Sequence, residues 1–162
     1  MTKFEVTDDL FFNRAGLDKT RTEGIVENAL AGMDDGELFM EYRQSEGLSF
    51  DDGRLKSASF DTVQGFGLRA IADEATGYAH ASELSEDAIR RAAETVKAVR
   101  TGYAGVSAEG PQPTNRSLYS ESNPLTATPF EDKITLLSDI DAYARNSDPR
   151  VDQVMVSLTG EW

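Results

Sequence analysis

At 162 residues the chain can bury about 70% of its unfolded surface, so it needs no metal or disulfide staple, and with no cysteine it has no thiol chemistry. Its 29 acidic against 16 basic side chains give a net charge of −13, which repels nucleic-acid phosphates and anionic membrane surfaces and makes direct binding to either an unexpected function. Hydrophobic residues at 39% and charged residues at 28% are the composition of a folded domain, not of a disordered one.

The start, Met1-Thr2-Lys3-Phe4-Glu5, lacks the basic-then-apolar layout of a secretory signal, and no apolar run reaches the roughly 18 residues of a membrane span. The expected compartment is the cytoplasm. The first helical signal covers Asp8 to Phe12 and resumes near Leu17. Asp18 can cap the resumed helix, Ile25, Ala29 and Leu30 share one face with Val26 beside them, and Gly32 is placed to end it. Leu38, Met40 and Tyr42 then alternate with Phe39, Glu41 and Arg43, the period of a strand, and Leu48 and Phe50 continue an alternation. Asp51-Asp52-Gly53 marks a tight turn, with Leu55 to Ala58 as the return strand of a hairpin. A third strand region is expected over Thr62–Ala72, a second turn over Asp73–Gly77, and a short strand over Tyr78–Ala81. Such a run of hairpins implies an antiparallel sheet, because parallel strands need long crossovers.

Ser85 caps the next helix, with Glu86 and Asp87 in its first turn. Ala88, Ile89, Ala92, Ala93, Val96 and Val99 form its buried stripe, Arg90, Arg91, Glu94 and Lys97 face water, and Gly102 stops it. Residues from Gly102 to Thr128 carry Pro111, Pro113 and Pro124 and read as a long irregular loop anchored by Leu118, Tyr119 and Leu125. Thr128-Pro129-Phe130-Glu131 then has the form of a capping box, with Thr128 as the N-cap worth about 1 kcal/mol. Phe130, Ile134, Leu137, Asp141 and Ala144 follow helical spacing, with Ile140 placed to stand in for Asp141, until Asp148-Pro149 ends the helix. Val151–Trp162 is a final strand, with Val154, Val156 and Leu158 on one side and Met155, Ser157 and Thr159 on the other. Clustered strands with flanking helices make the class α+β, a mostly antiparallel sheet flanked by helices in one domain over 1–162.

No catalytic set is legible. A catalytic zinc takes three protein ligands, and this chain offers one histidine, His80, in a predicted strand. No metal site, and no cofactor in this chain, is expected. Gly65-Phe66-Gly67-Leu68-Arg69-Ala70 fits the letters of a dinucleotide fingerprint, but Ile71 and Ala72 continue a strand where that fingerprint needs a helix. Alternate glycines in a strand mark a bulge or a close backbone approach instead, by the protein itself or by a passing peptide. The pairs Asp8-Asp9, Asp34-Asp35 and Asp51-Asp52 suit turns and caps better than acid/base dyads, since adjacent side chains diverge. There is no Gly-x-Ser-x-Gly elbow. Arg69 stands out as a polar side chain in an otherwise apolar strand, readable as a salt-bridged face or as a ligand contact.

Asp52-Gly53-Arg54-Leu55-Lys56, Gln64-Gly65-Phe66-Gly67-Leu68-Arg69-Ala70 and Thr76-Gly77-Tyr78-Ala79, followed by Leu118-Tyr119, Asn123-Pro124-Leu125 and the helix from Pro129 into Arg150-Val151, resemble in order the amino-terminal region of the TldD/PmbA family, on its TldD side. These proteins are also called modulators of DNA gyrase. The resemblance covers nearly the whole chain. It implies a cytoplasmic zinc metallopeptidase that pairs with a sister subunit of the family and trims unfolded or modified peptides. The family's zinc ligands, on a His-Glu-x-x-x-His helix and a downstream cysteine, have no counterpart in this sequence. The resemblance therefore implies that this chain is the non-catalytic amino-terminal domain of a longer protein, with zinc and catalysis in an absent carboxy-terminal half and no catalytic residue here. Gln64, Gly65, Gly67 and Arg69 are the candidates for a substrate path or subunit interface. The alternative is a free-standing acidic interaction module, binding peptides or modulating gyrase without peptidase activity.

Overall fold

The computed structural model describes residues 3–98 and 122–162. The elements, in order, are α1 (Lys3–Asp8) continued by a π-helical turn (Asp9–Arg14), α2 (Lys19–Leu30), β1 (Asp35–Asp51), β2 (Arg54–Ala72), β3 (Ala75–Ala81), α3 (Glu86–Lys97), α4 (Pro124–Ala127), α5 (Phe130–Ser147) and β4 (Met155–Glu161). The strands form one four-stranded antiparallel sheet of order β3-β2-β1-β4, flanked by helices, which establishes the α+β class. The chain divides into two compact units, one holding residues 3–42 and 64–98, the other 43–63 and 122–162.

In the first unit, Asp18 caps α2 by accepting from the Arg21 N–H at 2.9 Å, and Gly32, at φ +77°, follows the end of the helix. Ser85 caps α3 through the Ala88 N–H at 3.2 Å. Ala88, Ile89, Ala92, Ala93 and Val96 are buried as their spacing requires, and α3 packs on β3 and α2. Val99, Gly102, Leu118 and Tyr119 lie outside the described residues. On the sheet, Phe66, Leu68 and Ala70 alternate inward opposite Ala81, Ala79 and Gly77. The second turn is shorter than the predicted Asp73–Gly77. Asp73, at φ +55°, and Glu74 suffice, so β3 begins at Ala75. The Asp73 N–H donates to Asp34 Oδ2 at 2.5 Å, which fixes that turn to the start of β1.

The second unit has a smaller apolar core. Leu48 and Phe50 of β1 pack with Leu137 of α5, against Ile134, Val156 and Leu158. The last two stand opposite Phe50 and Leu48 in the β1–β4 register, so one face of β4 is half-buried and the other exposed, as its alternation predicts. Asp52 (φ +54°) and Gly53 (φ +74°) make the two-residue turn between β1 and β2, the pair of positive φ values that the tightest hairpin demands. The separate strand regions expected on either side of 59–61 are one continuous strand of 19 residues, because pairing along the hairpin continues through them.

The α5 entrance also differs from expectation. Thr128 makes no cap. It closes α4, a short helix capped by Asn123 within the stretch predicted to be irregular, and Pro129 occupies the N-cap of α5 with no side-chain bond. The buried stripe of α5 is Lys133, Leu137 and Asp141, while Phe130 and Ile140 are exposed. Ile140 therefore does not replace Asp141. Lys133 is only 8% exposed, and its Nζ donates to Glu46 Oε1 (13% exposed) and to the Leu125 carbonyl, each at 2.7 Å. Asp141 Oδ2 accepts from Arg145 Nε at 3.1 Å, and Arg145 also bonds Asp52 of the hairpin turn. Hydrogen bonds to Asp141, then Asp52, hold the Arg145 guanidinium above its ordinary pKa.

Candidate functional site

The sequence-predicted residues lie together on β2, and their surroundings explain their types. Gln64 is exposed. Gly65 faces β3 at a distance that admits no side chain, since a Cβ there would sit 2.7 Å from the Ala81 carbonyl oxygen. Gly67 lies under Tyr78, whose hydroxyl would be 2.6 Å from an added Cβ. The protein's own backbone and ring thus make the close approaches to these glycines.

Arg69 is the cationic centre of the face. Its Nε donates to Glu37 Oε1 at 3.0 Å and its Nη2 to Asp35 Oδ2 at 3.2 Å, so one guanidinium spans two carboxylates of β1. The side chain remains 29% exposed and in contact with solvent. Across β3 the register sets Arg69 opposite Tyr78 and Gly67 opposite His80. Tyr78 and His80, two residues apart on one face of β3, stack with ring centroids 5.6 Å apart. The result is a half-exposed patch of one arginine, two carboxylates and two stacked rings over a small-residue floor.

Tyr78, His80, Asp35 and Glu37 were not among the site residues predicted from sequence. Tyr78 carried a signal: a two-residue turn at Asp73-Glu74 pairs position 78 with 69. Asp35 and Glu37 carried none, because only the long β1–β2 hairpin brings residues 32 and 34 positions away to Arg69.

Zinc does not fit these residues. His80, the chain's single histidine, stacks on Tyr78, and among the described residues no three His, Asp or Glu side chains converge as a ligand set. No helix among the described residues is long and apolar enough to cross a membrane.

The outer edge of β2 is uneven. β3 pairs with Phe66–Ala72 of β2, and among the described residues no strand lies along that side of 54–65. Leu55, Phe60 and Val63 on this stretch are exposed. An open strand edge with apolar side chains is a place where another extended chain can add.

The fold is shared with solved proteins. TldE from Thermococcus kodakarensis superposes with a TM-score of 0.64 at 16% identity, over 87% of this chain and 33% of that one. A protein of Bacteroides thetaiotaomicron described as a modulator of DNA gyrase gives 0.62 at 17% identity, over 88% and 34%. Residues 36–109 match the family model for PmbA/TldA metallopeptidase domain 1. The metalloprotease TldD homolog of Haemophilus influenzae is 33% identical over 130 residues, 78% of this chain and 27% of that protein. That of Buchnera aphidicola from Schizaphis graminum is 30% identical over 131 residues, 80% and 27%. The chain belongs to the TldD/PmbA family, through the family's first domain. It spans about a quarter of the length of these curated relatives.

Proposed function

We propose that this chain is the non-catalytic amino-terminal domain of a TldD-like cytoplasmic zinc metallopeptidase. It shapes the chamber that receives unfolded or modified peptides and contributes to the contact with a sister subunit. Zinc and the hydrolytic groups belong to a further part of the polypeptide. The observation that carries this reading is the match of residues 36–109 to the first domain of a metallopeptidase family. Two features support the peptide-facing role. The open edge of β2 supplies backbone donors and acceptors that an extended peptide can pair with regardless of its sequence. The Arg69 patch offers a cation and stacked rings.

In the full-length protein, Arg69→Ala should lower peptide cleavage at least several-fold while zinc content and melting temperature stay near wild type. Unchanged cleavage removes Arg69 from the substrate path. A full-length protein that neither holds zinc nor cleaves peptides overturns the reading as a whole.

A further inference from the structure

Helix α5 turns a second stripe away from its core. Leu136, Ile140 and Tyr143, at helical spacings of four and three, are 50%, 41% and 77% exposed. They adjoin the buried stripe of Lys133, Leu137 and Asp141, so apolar surface continues from the core edge into solvent. At Leu136 it opens into a groove of about 270 Å³ lined by Leu136, Asp132, Pro124, Leu125 and Leu158. Three large side chains in line beside an apolar groove form the contiguous patch that marks a contact surface, unlike scattered exposed residues.

The charge beside the stripe is acidic, in a chain of net charge −13. On α5, Asp132 and Asp139, the carboxylates that flank the stripe, have no ion-pair partner among the described residues, although Lys133 and Arg145 are on the same helix and bond other carboxylates. The stripe is therefore apolar with an acidic border that no cation among the described residues neutralises. A second copy of this chain would set like charges against like, and an anionic lipid surface would be repelled. An apolar segment flanked by Lys or Arg would bury the stripe and neutralise its border.

We propose that α5 is a docking face, on which Leu136, Ile140 and Tyr143 receive an apolar, lysine- or arginine-flanked segment from a further part of the same polypeptide. The curated relatives carry almost three-quarters of their length outside the matched region, which provides the source of such a segment. The inference rests on the reading of this chain as one domain of a longer protein.

Hydrogen–deuterium exchange on the 162-residue chain and on the full-length gene product tests it. The α5 amides should exchange about tenfold more slowly in the full-length protein than in the isolated chain. The double substitution Leu136→Asp/Ile140→Asp should abolish that difference and leave the isolated chain's circular dichroism and exchange unchanged. Asp132→Lys/Asp139→Lys, which alters only the border, should reduce the difference and serves as the second variant if the first perturbs folding. Equal α5 exchange in the two wild-type proteins overturns the docking face. Zinc content and peptide cleavage, measured on the same full-length preparation, separate the two readings. A zinc peptidase with unprotected α5 refutes the docking face alone, and a gene product ending at Trp162 refutes both.

Discussion

The two units solve the same packing problem with different materials. The first seals its sheet with aliphatic side chains: Leu68, Ile89 and Val96 are fully buried, with Ala88, Ala92 and Ala93 buried beside the last two on α3. The second has few such residues, and beside its small cluster it buries Lys133, paired with Glu46, and Asp141, paired with the part-exposed Arg145. Aliphatic burial is non-directional and tolerates exchange of similar volumes. A buried ion pair offsets its own desolvation cost only when both partners are present and correctly placed. The first unit should therefore respond to changes of volume and the second to changes of charge.

That contrast can be tested, beginning with the largest effect. Ile89→Ala should cost about 4 kcal/mol by deleting buried volume, measured by urea denaturation of the 162-residue chain, whereas Ile89→Val should cost about 1 kcal/mol. Lys133→Met should cost about 3 kcal/mol in the same assay, because it strands Glu46, and Lys133→Met/Glu46→Leu should recover most of that loss. A single mutant as costly as the double would show that the pair contributes volume and not charge, and the contrast would fail. The smallest effect concerns helix caps. Ser85→Ala should cost about 1 kcal/mol, while Thr128→Ala, at a position with no cap bond, should lie within about 0.5 kcal/mol of wild type.

The same contrast explains what could be read in advance. The apolar periodicity of α3 and the Asp18 and Ser85 caps follow from local rules and appear where those rules put them. On α5 periodicity misleads, since Asp141 points inward and Ile140 outward, and the partners that permit this, Arg145 and Asp52, include one from a distant turn. Thr128-x-x-Glu131 has the letters of a capping box, but Thr128 is already committed to the end of α4, and the extended backbone of Pro129 starts the next helix instead. For the candidate site, Arg69 was visible as a polar interruption of an apolar strand. Its forked carboxylate partners depend on pairing across the hairpin, which no local window contains.

The second unit is assembled from two stretches of chain, 43–63 and 122–162, and β4 pairs with β1 by joining Ser45–Asp51 to Met155–Glu161. At ribosomal speeds of about 5–20 residues per second, β1 waits several seconds or more for its partner strand and for Leu137, its cover. All the described elements of the first unit have emerged by Lys97. Biogenesis is thus ordered in time, and the interval before Met155–Glu161 emerges is when Leu48 and Phe50 are most open to chaperones or to mispairing with a neighbouring nascent chain.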